Sequence, residues 1–319
     1  MLEVNNLQVS FIMEGKELSI LKNLSYDLEK GEVLALVGES GSGKSVHALA
    51  LCSLLADNAK VKGSVKLEGK ELLKLSPKEM RKVLGKKIAM IFQDPMTSLN
   101  PVLTIQSHFI ETLQTHFKIT KKTALARAKD ALKEVEIDET CLKKYPHQLS
   151  GGMRQRVMIA LALCLKPQIL IADEPTTALD VSVQKQILDL IKTLQKQTNT
   201  AVIFITHNLA IVQDLAKRVL VLYAGEKMEE APKEEFFKNP KHPYSKALLN
   251  CLISLDEKPE KLNAIEGNPP QSGQVFTGCP FEERCPKKKS ICAEKKPELK
   301  EISPKHFVAC HLFNGEEKL

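Results

Sequence analysis

Residues 38–45 read GESGSGKS, between a short apolar run, VLALV at 33–37, and a helix-forming stretch at 45–55. No other segment restricts the fold so tightly. A strand, a glycine turn and a helix in that order aim backbone N–H groups and the positive end of the helix at an anion. The glycines permit backbone angles that other residues resist. The pattern G-x-x-x-x-G-K-[ST] is that of a phosphate-binding loop, whose lysine reaches the β- and γ-phosphates and whose hydroxyl binds Mg²⁺. Gly38, Glu39, Ser40, Gly41, Ser42, Gly43, Lys44 and Ser45 are therefore the candidate nucleotide contacts. A chance lysine in a glycine–serine turn would explain neither the strand before it nor the helix after it.

Further apolar runs at 88–92 (IAMIF), 169–172 (ILIA) and 201–205 (AVIFI) read as buried strands, and 2–11 reads as a strand of alternating pattern. Helix-like stretches at 45–55 and 181–197 lie between them. Buried strands alternating with helices indicate an α/β fold around a mostly parallel sheet. Residues from about 97 to 165 break that rhythm, with helix formers as at 120–136, and suggest an inserted helical subdomain. From about 256 Pro, Lys, Glu and Cys dominate. The expected division is a nucleotide-binding domain at 1–255, carrying the helical subdomain, and a small Cys-rich extension at 256–319.

No apolar run approaches the roughly 20 residues a spanning helix needs. The longest, 157–165 and 169–172, are interrupted by Lys166 and Pro167. The start, MLEVNNLQVS, has no basic, apolar signal pattern. The expected location is therefore the cytoplasmic side, with any membrane role supplied by a partner. The 319 residues carry a net charge of +7 with acidic residues interspersed, and no Trp. That mixture argues against a dedicated nucleic-acid surface but does not oppose contact with an anionic membrane.

Leu149 to Gln155 reads LSGGMRQ ahead of a helix-like stretch at 156–165. Ser150, Gly151 and Gly152 at a helix start offer a hydroxyl and free amides to an anion. Alone they are equally a simple helix cap. ILIADE at 169–174 ends an apolar strand in two carboxylates, Asp173 suited to Mg²⁺ and Glu174 to a general base. With the phosphate loop, this order of motifs resembles the ATP-binding cassette (ABC) family, whose signature is LSGGQ. Met153 stands where that family usually has Gln. The resemblance implies a P-loop NTPase core of RecA type with an antiparallel β subdomain and a helical subdomain. It also implies that Gln93 in IFQDP contacts Mg²⁺ or the attacking water, that His207 in FITHN contacts the γ-phosphate, and that Asp180 in ALD forms the loop linking two sites. In that family the signature closes over ATP held by a second ATPase domain, so a head-to-tail partner, identical or related, is implied. Phe11 is the candidate to stack on adenine, although an apolar Phe on a strand equally fits a core.

QDPMTSLNPVLTI at 93–105, HPYSKALL at 242–249, IEGNPP, CPFEERC and HFVAC narrow the resemblance to ATP-binding subunits of dipeptide and oligopeptide importers, over essentially the whole chain. It implies ATP hydrolysis driving two permease subunits, served by an extracytoplasmic binding protein, at the inner face of the cell membrane. Nickel and glutathione importers have closely related subunits. A soluble ABC protein acting on nucleic acid or ribosomes is the reading from another class, but the two cassettes or long insertions of such proteins are missing.

Cys279, Cys285, Cys292 and Cys310 fall in a C-x5-C-x6-C-x17-C pattern. For a cytosolic chain a metal site is a better expectation than disulfides. The thiol chemistry leaves zinc and an iron–sulfur cluster open. The family resemblance implies a [4Fe–4S] cluster, with zinc as the alternative. A small module with little apolar content would gain stability from the ligation.

Overall fold

The computed structural model describes residues 1–94, 98–177, 179–251 and 265–313. In chain order the strands and α-helices begin with β1 (Leu2–Met13), β2 (Lys16–Leu28), β3 (Val33–Val37), α1 (Lys44–Leu51), β4 (Ala59–Leu67) and β5 (Lys70–Glu71). Then come α2 (Pro77–Val83), β6 (Ile88–Ile91), α3 (Ile105–His116), α4 (Lys121–Glu134), α5 (Gly151–Leu163), β7 (Ile169–Asp173) and α6 (Val181–Thr198). The chain continues through β8 (Ala201–Thr206), α7 (Leu209–Leu215), β9 (Arg218–Tyr223), β10 (Glu226–Pro232), α8 (Lys233–Lys238) and α9 (Pro243–Asn250). It ends in α10 (Ile291–Glu294), β11 (Leu299–Ser303) and β12 (His306–Ala309). The expected strands and helices all occur, with ends shifted by a few residues.

Two compact units divide the chain. The first comprises Met1–Leu28, Val33–Lys74 and Ile205–Leu319. Its N-terminal strands form an antiparallel sheet in the order β2-β1-β4-β5. The start of β1 buries Leu2 and Val4 while Glu3, Asn5 and Asn6 face outward, the alternation of a sheet packed on one side. A second array runs β11-β12-β10-β9-β3. Here β3 pairs parallel with β9, Leu34 opposite Arg218, and every residue of both strands is buried. The terminal hairpin of β11 and β12 pairs antiparallel with β10, Val308 opposite Glu229. One core joins Val37 of β3, Val221 and Tyr223 of β9, Phe236 of α8, Tyr244 of α9 and Phe281 of the Cys-rich segment. Burying the Phe281 ring contributes about 2 to 3 kcal/mol.

The second unit, Glu29–Glu32 and Leu75–Phe204, holds the helices α2 to α6. β6 and β7 are parallel, from Ile88 opposite Ile169 to Ile91 opposite Ala172. α4 turns Ala124, Ala128, Ala131 and Leu132 inward, and α6 does the same with Ile187, Ile191 and Leu194, at the spacing of one helical face. α3, α4 and α5 fall within the stretch expected to be helical. The start of that stretch, at residue 97, lies outside the described residues, as does the expected domain boundary near 256. Among the described residues no helix is long and apolar enough to cross a membrane.

Candidate functional site

In the first unit, β3 delivers the phosphate loop directly from a fully buried strand. Gly38 has φ +154, and a Cβ there would lie 2.1 Å from the carbonyl oxygen of Leu222, so only glycine fits. Gly43, at φ +101, caps the start of α1, and Lys44 is the first helical residue. The Lys44 ammonium is buried and donates to the carbonyls of Gly38 and Glu39, 2.8 Å each, and to Ser42 Oγ at 3.3 Å. The loop is thus curled around its own lysine, with carbonyls occupying donors that an incoming phosphate can claim. Behind it, His47 of α1 is fully buried and bonds Tyr26 Oη of β2 at 2.7 Å.

Glu39 is held at three points. Its N–H donates to Tyr244 Oη (2.8 Å), its carbonyl accepts from Lys44, and its carboxylate takes a two-pronged contact from Arg284, at 2.6 and 3.0 Å. Neither Tyr244 nor Arg284 stood among the candidate contacts read from the sequence. The signal was present: Tyr244 is the tyrosine of HPYSKALL and Arg284 the arginine of CPFEERC, the two segments that narrowed the resemblance.

His207 is exposed immediately after β8. Thr206 Oγ1 accepts from the Asn208 N–H (3.0 Å), and Asn208 Oδ1 accepts from Ala210 N–H (3.0 Å) at the start of α7. This turn presents the imidazole at the strand's end. Phe11 is half-buried in β1, opposite Leu18 of β2 and Ala59 of β4.

In the second unit, β7 ends with Asp173, 3% exposed, and Glu174 follows it. Glu174 has φ +45, a left-handed backbone uncommon for a residue with a side chain and often found where function sets the geometry. Its Oε2 accepts from Gln93 Nε2 (3.1 Å) and Thr177 Oγ1 (3.0 Å). The parallel register of β6 and β7 is what brings these two expected residues together, because each lies just beyond its strand.

Ser150 is exposed and caps α5 by accepting from the Met153 N–H at 3.3 Å. Gly151 is also exposed, so the helix start faces outward from its own unit. Arg154 is buried and donates to the carbonyls of Pro146 (3.1 Å) and Leu149 (3.3 Å), locking the approach to the cap. Arg156 reaches the carbonyl of Val135 at 2.9 Å and Glu136 at 3.0 Å. Asp180 caps α6, accepting from Val183 N–H (3.0 Å) and Ser182 Oγ (2.7 Å), and these bonds hold its carboxyl below the usual range.

The expected metal centre at Cys279, Cys285, Cys292 and Cys310 is corrected. The four thiols line one cavity, beside His242 and Phe281. Yet among the described residues no group of three or more His, Cys, Asp or Glu is placed to hold a metal ion. Burial pushes the Cys279 thiol up to about 12 and raises Cys285 and Cys310 as well. The [4Fe–4S] and zinc expectations are both withdrawn.

The ABC transporter family matches residues 21–177, and the family described as oligopeptide/dipeptide transporter, C-terminal region, matches residues 228–292. The oligopeptide transport ATP-binding protein of Salmonella typhimurium is 45% identical over 312 residues, 97% of this chain and 93% of that protein. The dipeptide transport ATP-binding protein of Bacillus subtilis is 46% identical over 315 residues, 98% and 94% of the two chains. A dimeric ATP-binding cassette solved in a post-hydrolysis state with ADP and Pi superposes with a TM-score of 0.66 at 30% identity, over 73% of this chain and 99% of that one. Fold and loops alike are those of an ABC ATPase, an enzyme that binds and hydrolyses ATP. Within that class the chain belongs to the family of oligopeptide and dipeptide transport ATP-binding proteins.

Proposed function

We propose that this chain couples ATP hydrolysis to peptide import, with the following division of labour. The loop from Gly38 to Ser45 wraps the phosphates through its amides, and Lys44 exchanges the carbonyls of Gly38 and Glu39 for phosphate oxygens. Ser45 and Asp173 hold Mg²⁺, with Gln93 as a further ligand. Their hard oxygen donors, a hydroxyl, a carboxylate and an amide carbonyl, fit that ion. When bound, Mg²⁺ neutralises charge on the β- and γ-phosphates. Glu174 accepts the proton of the attacking water, Gln93 orients that water, and His207 contacts the γ-phosphate. The exposed Ser150, Gly151 and Gly152 face ATP on a second ATPase subunit, Asp180 links the two sites, and Phe11 is the candidate adenine contact.

Partners supply the rest. A companion ATPase docks head to tail; that a similar cassette was solved as a dimer supports the pairing. Two permeases carry the substrate, an extracytoplasmic binding protein delivers it, and the complex holds this chain at the inner face of the membrane. The names of the relatives support peptides as cargo.

The observation that carries the chemical reading is the Gln93–Glu174 contact, an amide and a carboxylate brought within 3.1 Å at the ends of neighbouring strands. The test is Glu174→Gln in the assembled transporter. Hydrolysis should fall at least about a hundred-fold while ATP binding persists, because only the base is lost. Turnover at the wild-type rate would remove Glu174 from that role.

A further inference from the structure

Glu39 occupies a variable position of the phosphate loop, and its carboxylate is a liability beside a site that must accept a polyanion. The structure answers that charge from the C-terminal extension. Arg284 lies between Cys279 and Cys285 with its side chain only 6% exposed, and its two terminal nitrogens grip both oxygens of Glu39. The guanidinium is itself held in place. Its Nε donates to the carbonyl of Glu266 (3.0 Å), one terminal nitrogen also reaches Tyr223 Oη (3.2 Å), and its carbon lies 5.8 Å and 5.9 Å from the ring centres of Tyr223 and Phe281. Those rings pack against Tyr244, whose hydroxyl receives the Glu39 N–H. A planar fork with several donors suits this seat, and the single ammonium of lysine could not span it.

We propose that Arg284 is a positioning residue for nucleotide binding, by which the extension neutralises Glu39 and fixes the entry of the phosphate loop. Two consequences follow from the geometry. When Lys44 leaves the Glu39 carbonyl for a phosphate, the Tyr244 and Arg284 contacts still hold Glu39, so the loop need not be reordered. With its charge cancelled, Glu39 does not repel the γ-phosphate. Segment 269–274 of the same extension lines a cavity beside Ser40, Gly41 and Ser42, so extension and loop adjoin over more than one residue. This inference rests on the reading that residues 38–45 bind the phosphates of ATP.

The test is a charge cycle on the full chain, read as the Kd for ATP and for ADP by fluorescence titration, with Tm recorded for each variant. Arg284→Gln should weaken ATP binding about ten-fold and ADP binding less, since ADP carries less charge. Glu39→Gln should tighten ATP binding, because it leaves a cation facing the phosphates. The double variant should return to within about two-fold of wild type. A merely structural arginine would not be rescued in this way. The proposal is overturned if Arg284→Gln binds ATP like wild type, or if the double variant is as weak as Arg284→Gln alone. Should Arg284→Gln fail to fold, Glu39→Gln decides alone, and unchanged or weaker ATP binding there overturns the proposal. Lys44→Ala separates the two readings. Loss of binding in that variant supports the phosphate-loop assignment, and wild-type binding would overturn that assignment and the inference resting on it.

Discussion

Single residues in this chain often serve two levels of structure at once. His242 is 1% exposed, yet its Nδ1 accepts from the Tyr244 N–H (3.0 Å) and so caps α9. Burial pushes its pKa down to about 4, with Glu229 opposing the shift. The sign of the pH effect follows. In the unfolded chain the imidazole takes a proton near its ordinary value of 6.5, whereas in the fold it stays neutral down to about 4. Acid therefore favours unfolding across that window, at about 1.4 kcal/mol per pH unit for this residue. Denaturant midpoints measured at pH 7, 6 and 5 should fall accordingly. His242→Asn, which keeps a capping oxygen and loses the titration, should show a shallower decline. An identical slope in the variant would show that His242 is not the group responsible.

Elements rather than residues decide whether the signature serine is presented. α5 begins at Gly151, and a Cβ on Gly152 would come within 2.7 Å of Val183 Cγ1 on α6. Glycine is ordinarily a poor helix residue, about 1 kcal/mol worse than alanine, so its presence here reflects the close approach of α6. Gly152→Ala should therefore destabilise by about 1 kcal/mol despite the better propensity. Adding Val183→Ala, which clears the space, should recover that loss. If Gly152→Ala alone raises Tm, the two helices are not in contact at that point. Much at this scale could be read from residue order. β3, β6, β7 and β8 are apolar on both faces, and buried parallel strands leave that mark in any sequence. The capped start of α5 was visible in SGG, whereas Asp180 in ALD was read only as a linking loop and its cap on α6 came with the structure. β10 escaped notice because Lys227, Glu229 and Glu230 break the apolar pattern, whereas β9, with VLVLY at 219–223, carries the same apolar signal as the runs read as strands and was simply passed over. Glu230 bonds Lys227 at 2.6 Å and pairs with Arg218 at 2.5 Å, while Glu229 bonds His306. The cysteine spacing misled because spacing records which thiols can meet, not where the fold sets them: the four line one cavity, yet among the described residues no three or more are placed to hold a metal ion.

At the scale of the molecule, several ties besides the Arg284–Glu39 pair build the extension into the first unit. Phe281 enters the core shared by β3 and β9, the ladder of β12 continues the sheet from β10, and Glu229 links the two strands chemically. That last tie is the most exposed to perturbation. Glu229 is fully buried and accepts from the N–H groups of Lys241 and His242, 2.8 Å each, and from His306 Nε2 at 2.7 Å. Burial alone would raise its pKa, but the His306 bond, a Ser245 contact and the two amides outweigh it and leave the pKa lowered. A carboxyl lowered in the fold contributes stability that is complete above its unfolded value of 4.5 and lost as pH falls through the folded one. The extension should therefore stay attached at pH 5 and loosen only in stronger acid. Glu229→Ala should loosen it at neutral pH, because three buried donors lose their acceptor at a cost of about 3 to 5 kcal/mol. Limited trypsin digestion provides the readout, since the extension is rich in lysine. The variant should release a C-terminal fragment well before the rest of the chain is cut, and Glu229→Gln, which keeps one acceptor oxygen, should do so more slowly. Cleavage of Glu229→Ala at the wild-type rate and sites would mean that the aromatic core and strand ladder hold the extension without this carboxylate.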